Sequence, residues 1–270
     1  MNVFNHSLNS LVNDRHIYRF EKFYSLKDDF YLVQRRIKGN KKANELMGTA
    51  EKVCNVLIKF PYVRGIGISG SLSKNFADED SDIDLFIITA KNRLWIARTL
   101  MHVLKKLAYV AGKEHYFCMN YYIDEQNLLI PEQNIYTAAE VVTLIPLQGD
   151  IAFVDFFAAN AWCRQFLPNN IMRLSIAKPA SKSRFKLFVE SILNNGFGNW
   201  LDDRLWHITA SRWNKKTAAK QRNIKGQVMV MNTGKHFAKP DPEDFQSNLM
   251  TRYRLKMESL LKEDQHSLAK

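Results

Sequence analysis

A Gly-Ser turn followed by two aspartates at alternate positions is the part of the sequence best suited to chemistry. The run begins with Ser-Gly-Ser at 69–71 and ends with Asp-Ile-Asp-Leu at 82–85. Because side chains of a β-strand alternate between its faces, Asp82 and Asp84 would project to the same side. Two adjacent carboxylates repel each other unless a cation lies between them, so the pair predicts a divalent-metal site.

The turn before the aspartates suits the binding of phosphate. Gly70 lets the backbone approach a ligand closely, Ser71 offers a hydroxyl, and Lys74 adds a cation. Metal and phosphate sites side by side are typical of phosphoryl and nucleotidyl transfer. The alternative is an ordinary hairpin with a Gly-Ser turn and two exposed aspartates.

Apolar periodicity predicts the elements that position these residues. A helix is expected over 41–60, and Pro61 ends it before a strand over 62–69 that leads into the turn. A second strand carries the aspartates and ends at Thr89. A helix over 92–111 and a third strand over 116–123 follow.

This order resembles the signature of the DNA polymerase beta-like nucleotidyltransferase superfamily: an apolar residue, Gly-Ser, a spacer, then Asp-apolar-Asp-apolar. The resemblance implies an α/β (α+β) fold, with a nucleotidyltransferase-type mixed sheet flanked by helices and a mainly helical C-terminal part. It further implies that Asp82 and Asp84 hold Mg²⁺ or Mn²⁺, and that Gly70, Ser71 and Lys74 contact the phosphates of a nucleoside triphosphate. The implied reaction moves a nucleoside monophosphate to a hydroxyl acceptor and releases pyrophosphate.

The third strand departs from the superfamily pattern, which usually places a third carboxylate there. Its more apolar positions, 117, 119, 121 and 123, are expected to face the core, and Asn120 then occupies the carboxylate position. An amide oxygen ligates a metal but does not accept a proton. Asp124 is expected on the same face of the strand as Asn120. It lies four residues further along, however, and at about 3.3 Å per residue this separates the two by roughly 13 Å.

Two alternatives therefore remain for the catalytic part. In the first, Asn120 acts with Asp82 and Asp84 by completing the metal shell or positioning the acceptor hydroxyl. In the second, the domain binds and senses a nucleotide without transferring it. Motifs at 120–121, 136–140, 146–147, 160–162 and 166–169 are similar to a little-characterised group of bacterial nucleotidyltransferase-domain proteins in which this asparagine is usual.

The C-terminal part is strongly basic within a chain whose formal net charge is +12. Such a charge favours polyanionic partners. Nucleic acid is a candidate partner through one basic set, and the alternative is a solvated helix face. The set is Arg212, Lys215, Lys216, Lys220 and Arg222.

Three parts are expected along the chain: an N-terminal helical extension over 1–40, a nucleotidyltransferase domain with appended helices over 41–169, and a helical basic region over 170–270. A capping box is expected at Thr137 and Glu140. No long uncharged apolar run or signal-peptide pattern is present, which predicts a cytoplasmic protein. The three cysteines lack metal-type spacing and are expected to be core residues. The acceptor stays open among protein, RNA and small molecules.

Overall fold

Helices and strands follow one another through the computed structural model, which describes residues 2–110, 118–169, 177–222, 226, 228, 230–240 and 245–268. The helices are α1 Asn2–Asn13, α2 Phe30–Leu57, α3 Leu94–Val110, α4 Ile135–Thr143, α5 Asp150–Ala159, α6 Arg184–Leu193, α7 Gly196–Ala218 and α8 Phe245–Leu268. The strands are β1 Tyr18–Phe20, β2 Phe23–Ser25, β3 Val63–Ile68, β4 Asp84–Thr89, β5 Cys118–Asp124, β6 Ile145–Gln148, β7 Met231–Thr233 and β8 Phe237–Pro240.

Six of these strands form a mixed sheet in the order β6-β3-β4-β5-β8-β7. Strands β4 and β5 are parallel, and the other neighbours in the sheet pair antiparallel. The α/β fold with a mixed sheet, flanking helices and a helical C-terminal part is therefore confirmed. The region after residue 170 also contributes β7 and β8 to this sheet.

Strand β4 lies at the centre because both of its faces are apolar. Leu85 and Ile87 belong to a core that includes residues of α2 and α3, whereas Phe86 and Ile88 pack with residues of α4 and α5. A strand buried on both faces reads as a continuous apolar run, as Leu-Phe-Ile-Ile does at 85–88. Asp84 opens this run, and it therefore stands at the edge of the core.

The helix before β3 is longer than the sequence pattern indicated. It begins at Phe30, where the side chain of Asp29 accepts a hydrogen bond from the backbone N–H of Tyr31 and caps the helix. The helix thus runs without a break across residue 40. The expected start at Lys41 was wrong because the aromatic residues at 30 and 31 are solvent-exposed and give no apolar stripe.

Strand β5 contains a bulge that changes which side chains share a face. The register with β4 shifts between Leu85, which pairs with Met119, and Phe86, which pairs with Tyr121, so Asn120 is the extra residue. Met119 therefore packs on the same side as Tyr122, and Tyr121 packs on the other. The expected alternation over 117–123 was wrong for this reason; Tyr116 and Phe117 lie outside the described residues.

Helix α4 begins at a different residue from the one expected. Its N-cap is Asn134, whose side chain accepts from the backbone N–H of Thr137. Thr137 and Glu140 lie inside the helix and do not form a capping box. Both side chains are therefore available for contacts with other parts of the chain.

The C-terminal part follows the predicted break. Helices α6 and α7 are separated at Asn194 and Asn195, as the Asn-Asn-Gly sequence indicated. The expected cap of the last helix at Asp241 lies outside the described residues, as does most of the expected linker over 170–182. No helix among the described residues is long and apolar enough to cross a membrane.

Candidate functional site

A cavity of about 480 Å³ opens beside the first residue of β4. It is bounded on one side by the turn after β3, by Asp84 and by Asn120. The opposite wall comes from α4, β8 and the start of α8. Its lining thus brings together most of the residues that the sequence singled out and adds several that it did not.

Gly70 and Asp84 fit against each other at the mouth of this cavity. Gly70 has a φ of +66°, a conformation that side-chain-bearing residues rarely adopt. A β-carbon at residue 70 would also lie 2.3 Å from Asp84 Oδ2. Both the backbone conformation and the close approach of the carboxylate therefore require glycine here.

The turn after β3 is held by its own hydrogen bonds. The Ser69 N–H donates to the carbonyl of Asp84 at 2.9 Å, and the Ser73 hydroxyl donates to the carbonyl of Gly70 at 2.9 Å. A short 3₁₀ helix over Leu72–Lys74 follows Ser71. These bonds fix the backbone next to Asp84, and Ser69, Gly70 and Ser71 all line the cavity.

Lys74 connects the turn to the opposite wall. Its ammonium donates to the carbonyl of Gly70 at 2.9 Å and to Glu140 Oε1 at 2.9 Å. The side chains of Lys74 and Glu140 are 35% and 29% exposed, so the pair stays within reach of a ligand. The sequence had given Glu140 only a capping role, although it pairs directly with one of the predicted phosphate contacts, Lys74.

Asp82 lies just before β4, and its side chain is half-buried. Both Asp82 and Asp84 act on the thiol of Cys118. Burial and the nearby Asp84 and Asp82 carboxylates raise the pKa of that thiol to about 12, against the opposing effect of Lys105. Cys118 is thus a neutral neighbour of the aspartates, and the expectation that it is simply a core residue was incomplete.

Asn120 lines the cavity together with Asp84 and Tyr121. The bulge in β5 puts two consecutive residues, Asn120 and Tyr121, at the same cavity, which strict alternation would not allow. The Tyr121 ring stacks on Phe86, with centroids 5.1 Å apart. The cavity wall beside Asn120 is therefore aromatic.

Asp124 has a different role from that of a substitute catalytic carboxylate. It is fully buried and accepts hydrogen bonds from the N–H groups of Asn92 and Gln126 at 3.1 and 2.9 Å. His236 Nδ1 lies 3.0 Å from its Oδ2. These contacts join β5 to the β7–β8 connection and to the loop before α3.

The far wall of the cavity contains a polar network that connects distant parts of the chain. Lys239 Nζ donates to Glu132 Oε1 at 2.7 Å and to Gln246 Oε1 at 3.1 Å. Gln246 Nε2 in turn donates to the Thr137 hydroxyl at 2.9 Å. No local sequence signal identifies this network, because its members come from β8, α8, α4 and the loop before α4.

Residues 51–142 match the family model of the nucleotidyltransferase domain. This interval contains the Gly-Ser turn, both aspartates, Asn120 and Glu140, and it ends well before Lys239. The match is consistent with the polymerase beta-like superfamily. No curated protein and no solved structure matches the chain. The cavity thus combines residues of the matched interval with residues of β8 and α8 that the family model does not cover.

The donors beside Gly70 are suited to a hard cation. Carboxylate, amide and hydroxyl oxygens, which Mg²⁺ prefers, come from Asp84, Asn120 and Ser71. Within the described ranges, no cluster of three or more His, Cys, Asp or Glu side chains has a metal-binding arrangement. Nucleotidyltransferase domains generally use divalent metals. The residues present fit a metal ion that enters the site bound to the oxygens of the triphosphate.

The basic residues that suggested a nucleic-acid partner lie elsewhere. Arg212, Lys215, Lys216, Lys220 and Arg222 are exposed on the second half of α7 and just after it. Lys216 lies over the Trp213 ring at 5.1 Å. The described lining of the cavity includes none of the five.

Proposed function

We propose that this protein is a Mg²⁺-dependent nucleotidyltransferase that moves a nucleoside monophosphate from a nucleoside triphosphate to a hydroxyl acceptor. The observation that carries the proposal is the fit between Gly70 and Asp84 at the mouth of the cavity. A bare backbone turn pressed against a carboxylate allows phosphate oxygens and a cation to share one small volume. The match of residues 51–142 supports the same assignment.

In this proposal Asp82 and Asp84 hold the metal, and Gly70, Ser71 and Lys74 hold the β- and γ-phosphates. The bound Mg²⁺ would neutralise part of the triphosphate charge. Lys74 is already aimed at the turn through the Gly70 carbonyl, so it needs only to exchange Glu140 for a phosphate oxygen. The chain therefore contributes mainly positioning and charge.

The acceptor oxygen attacks the α-phosphorus, the bond from that phosphorus to the bridging oxygen breaks, and pyrophosphate leaves. Asn120 orients the acceptor hydroxyl by a hydrogen bond but does not take its proton. The proton passes to Asp84 or to solvent. In this step Asn120 is therefore the positioning group, and Asp84 is the carboxylate beside the reacting atoms.

Calorimetric titration with Mg-NTP tests the metal-binding part of the proposal. We expect Asp82→Asn and Asp84→Asn to abolish Mg²⁺-dependent nucleotide binding while the circular dichroism spectrum stays that of the wild type. Asp80→Asn is the matched control, because Asp80 is exposed in the same loop. Unchanged Mg²⁺-dependent binding in both active-site variants would refute the proposal.

The second candidate function is nucleotide binding without transfer, and Asn120 is the observation that favours it. A pyrophosphate-release assay with protein, RNA and small-molecule pools separates the two. Binding without turnover on every acceptor supports a sensor. Transfer that appears or increases in Asn120→Asp would identify residue 120 as the position of the superfamily's third carboxylate.

A nucleic-acid acceptor would use the basic residues of α7, which the cavity does not contain. Phosphate contacts make the affinity for nucleic acid fall steeply with salt. Binding measured between about 50 and about 200 mM NaCl therefore tests whether such contacts are made. A steep loss that is reduced in the Lys215→Gln, Lys216→Gln double variant supports nucleic-acid binding. A flat response excludes it.

A further inference from the structure

Helix α6 packs on the rest of the protein with its polar side. Lys186 and Glu190 are four residues apart and so lie on the same side of the helix. The buried Lys186 ammonium donates to the carbonyls of Ile58 and Val63. Glu190 accepts from the backbone N–H of Tyr62 at 2.7 Å and binds Arg64 through both of its oxygens.

The opposite side of α6 exposes large apolar side chains. Phe185, Leu187, Phe188 and Ile192 are 51–65% exposed. An amphipathic helix normally buries such residues and exposes its charges. The covered side of α6 thus includes two charged side chains, and their hydrogen bonds hold the helix in an orientation that leaves these apolar side chains exposed.

The exposed apolar surface continues onto the first turns of α7. Phe197 and Trp200 are 58% and 55% exposed, and their rings stack with centroids 5.7 Å apart. The Arg204 guanidinium lies 5.9 Å from the Trp200 ring centroid. We call the exposed side chains at 185, 187, 188, 192, 197 and 200 the α6–α7 outer face.

Both helices are fixed beneath this face, so the exposure does not come from a loose segment. Arg93 donates to the carbonyl of Leu193 at 3.1 Å and to Asn199 Oδ1 at 2.6 Å. The buried Asp202 accepts from the Ile96 N–H at 2.8 Å. These contacts tie the end of α6 and the start of α7 to the loop before α3 and to its first turn.

The charges around the α6–α7 outer face are predominantly positive. Among the described residues from 182 to 222, Glu190 and Asp202 are buried or half-buried, and the partly exposed Asp203 is paired with Lys235. Exposed cations flank the face, with Lys182 and Arg184 at the start of α6 and Arg204 on α7. Further exposed cations follow along α7.

We propose that the α6–α7 outer face binds the surface of a bilayer containing anionic lipids. Aromatic and aliphatic side chains with flanking Lys and Arg suit the boundary between headgroups and acyl chains. A nucleic-acid partner fits less well, because Leu187, Phe188 and Ile192 offer nothing to a phosphate backbone. The proposed binding to lipid does not depend on the proposed nucleotidyl transfer.

Co-sedimentation with vesicles tests this inference. We expect the full chain to bind vesicles of phosphatidylcholine and phosphatidylglycerol and to leave pure phosphatidylcholine vesicles largely unbound. The Phe185→Ser, Phe188→Ser double variant should lower the binding at least about tenfold. Leu255→Ser is the control, since Leu255 is 62% exposed on α8, and it should bind as the wild type does.

Three outcomes would overturn the proposal. One is absence of binding to anionic vesicles; another is an equal loss in the Leu255→Ser control. The third is a wild-type dimer that becomes a monomer in the double variant without any vesicle binding, which would assign the face to a second copy of the chain. Circular dichroism and Mg-NTP titration of the double variant keep a folding defect and a failure of the nucleotide site distinguishable from these results.

Discussion

Gly70 lies so close to Asp84 that a β-carbon at residue 70 would stand 2.3 Å from Asp84 Oδ2. The carboxylate therefore occupies the space that any other residue would need. The same glycine has a left-handed φ of +66°, and its carbonyl accepts from Lys74 at 2.9 Å. The left-handed backbone, the Asp84 carboxylate and the Lys74 ammonium thus meet at residue 70. A substitution there is expected to affect ligand binding more than folding.

Gly70→Ala should remove nucleotide binding and leave most of the fold intact. The new methyl group displaces the Asp84 carboxylate and strains the backbone by about 1–2 kcal/mol. Calorimetry with Mg-NTP measures the loss. Gly48→Ala is the control, because a β-carbon there meets nothing within 4 Å on helix α2. That variant should be more stable by about 0.5–1 kcal/mol and should bind normally; equal binding in both variants would contradict the prediction.

The ion pair between Lys74 and Glu140 predicts two opposite effects on nucleotide affinity. Lys74→Met should weaken Mg-NTP binding about tenfold, because a charge-assisted phosphate contact is lost. Glu140→Gln should tighten it by about threefold, since the competing carboxylate is gone. Titration of both variants measures the effects. Lys38→Met is the control, since Lys38 pairs with Glu79 at an exposed site; weaker binding in Glu140→Gln would show that Glu140 helps to hold the ligand.

The Gly-Ser turn and the two strands beside it could be predicted, because the residues that determine them lie close together in the sequence. Glycine conformation, strand alternation and apolar runs define the Gly-Ser turn, β3 and β4 without reference to distant residues. The split between α6 and α7 follows in the same way from Asn194, Asn195 and Gly196. Each of these features depends on backbone preferences within a few residues.

Other features could not be predicted, because partners far apart in the chain determine them. The bulge at Asn120 depends on how β5 meets β4, and nothing in its own sequence marks the extra residue. Lys239 binds Glu132, which lies 107 residues earlier. The orientation of α6 depends on carbonyls at Ile58 and Val63 that accept from Lys186. Periodicity reports which residues are apolar, but not which side of a helix the rest of the chain covers.

Asp124 is predicted to hold the fold together and not to take part in catalysis. Asp124→Ala leaves His236 and the N–H groups of Asn92 and Gln126 without their buried acceptor, so it should cost about 3 kcal/mol of unfolding free energy. Urea denaturation measures this. Asp78→Ala removes an exposed pair with Arg35 and should cost less than about 1 kcal/mol.

Nucleotide binding by the folded fraction of Asp124→Ala tests the other half of this prediction. The Mg-NTP affinity should stay within about twofold of the wild type when the urea curve shows that the protein is folded. Loss of Mg²⁺-dependent binding by a folded variant would contradict this prediction and identify Asp124 as part of the metal site. Retained binding together with a large loss of stability would exclude Asp124 as a metal ligand.

Asp202 should make the stability of the protein fall as the pH rises toward neutrality. Burial raises the pKa of this carboxyl from 3.8 to about 6, although its Oδ1 accepts from the Ile96 N–H. Because the folded state binds the proton more tightly, its stabilising effect is complete below pH 3.8 and is lost as the pH rises through about 6. Two pKa units correspond to about 3 kcal/mol, which is the largest effect expected at pH 7.

Asp202→Asn removes this titration and keeps an oxygen that accepts from Ile96. We expect the unfolding free energy of the wild type to decline between about pH 4 and about pH 7, and that of the variant to lack this decline. Urea denaturation measures both. Asp203→Asn is the control at the neighbouring position, where the carboxylate is 42% exposed and pairs with Lys235, and it should retain the wild-type slope. Equal slopes in the wild type and Asp202→Asn would contradict the prediction. They would show that the charged Asp202 carboxylate is stabilised in the folded state, although its Oδ2 has no hydrogen-bond partner.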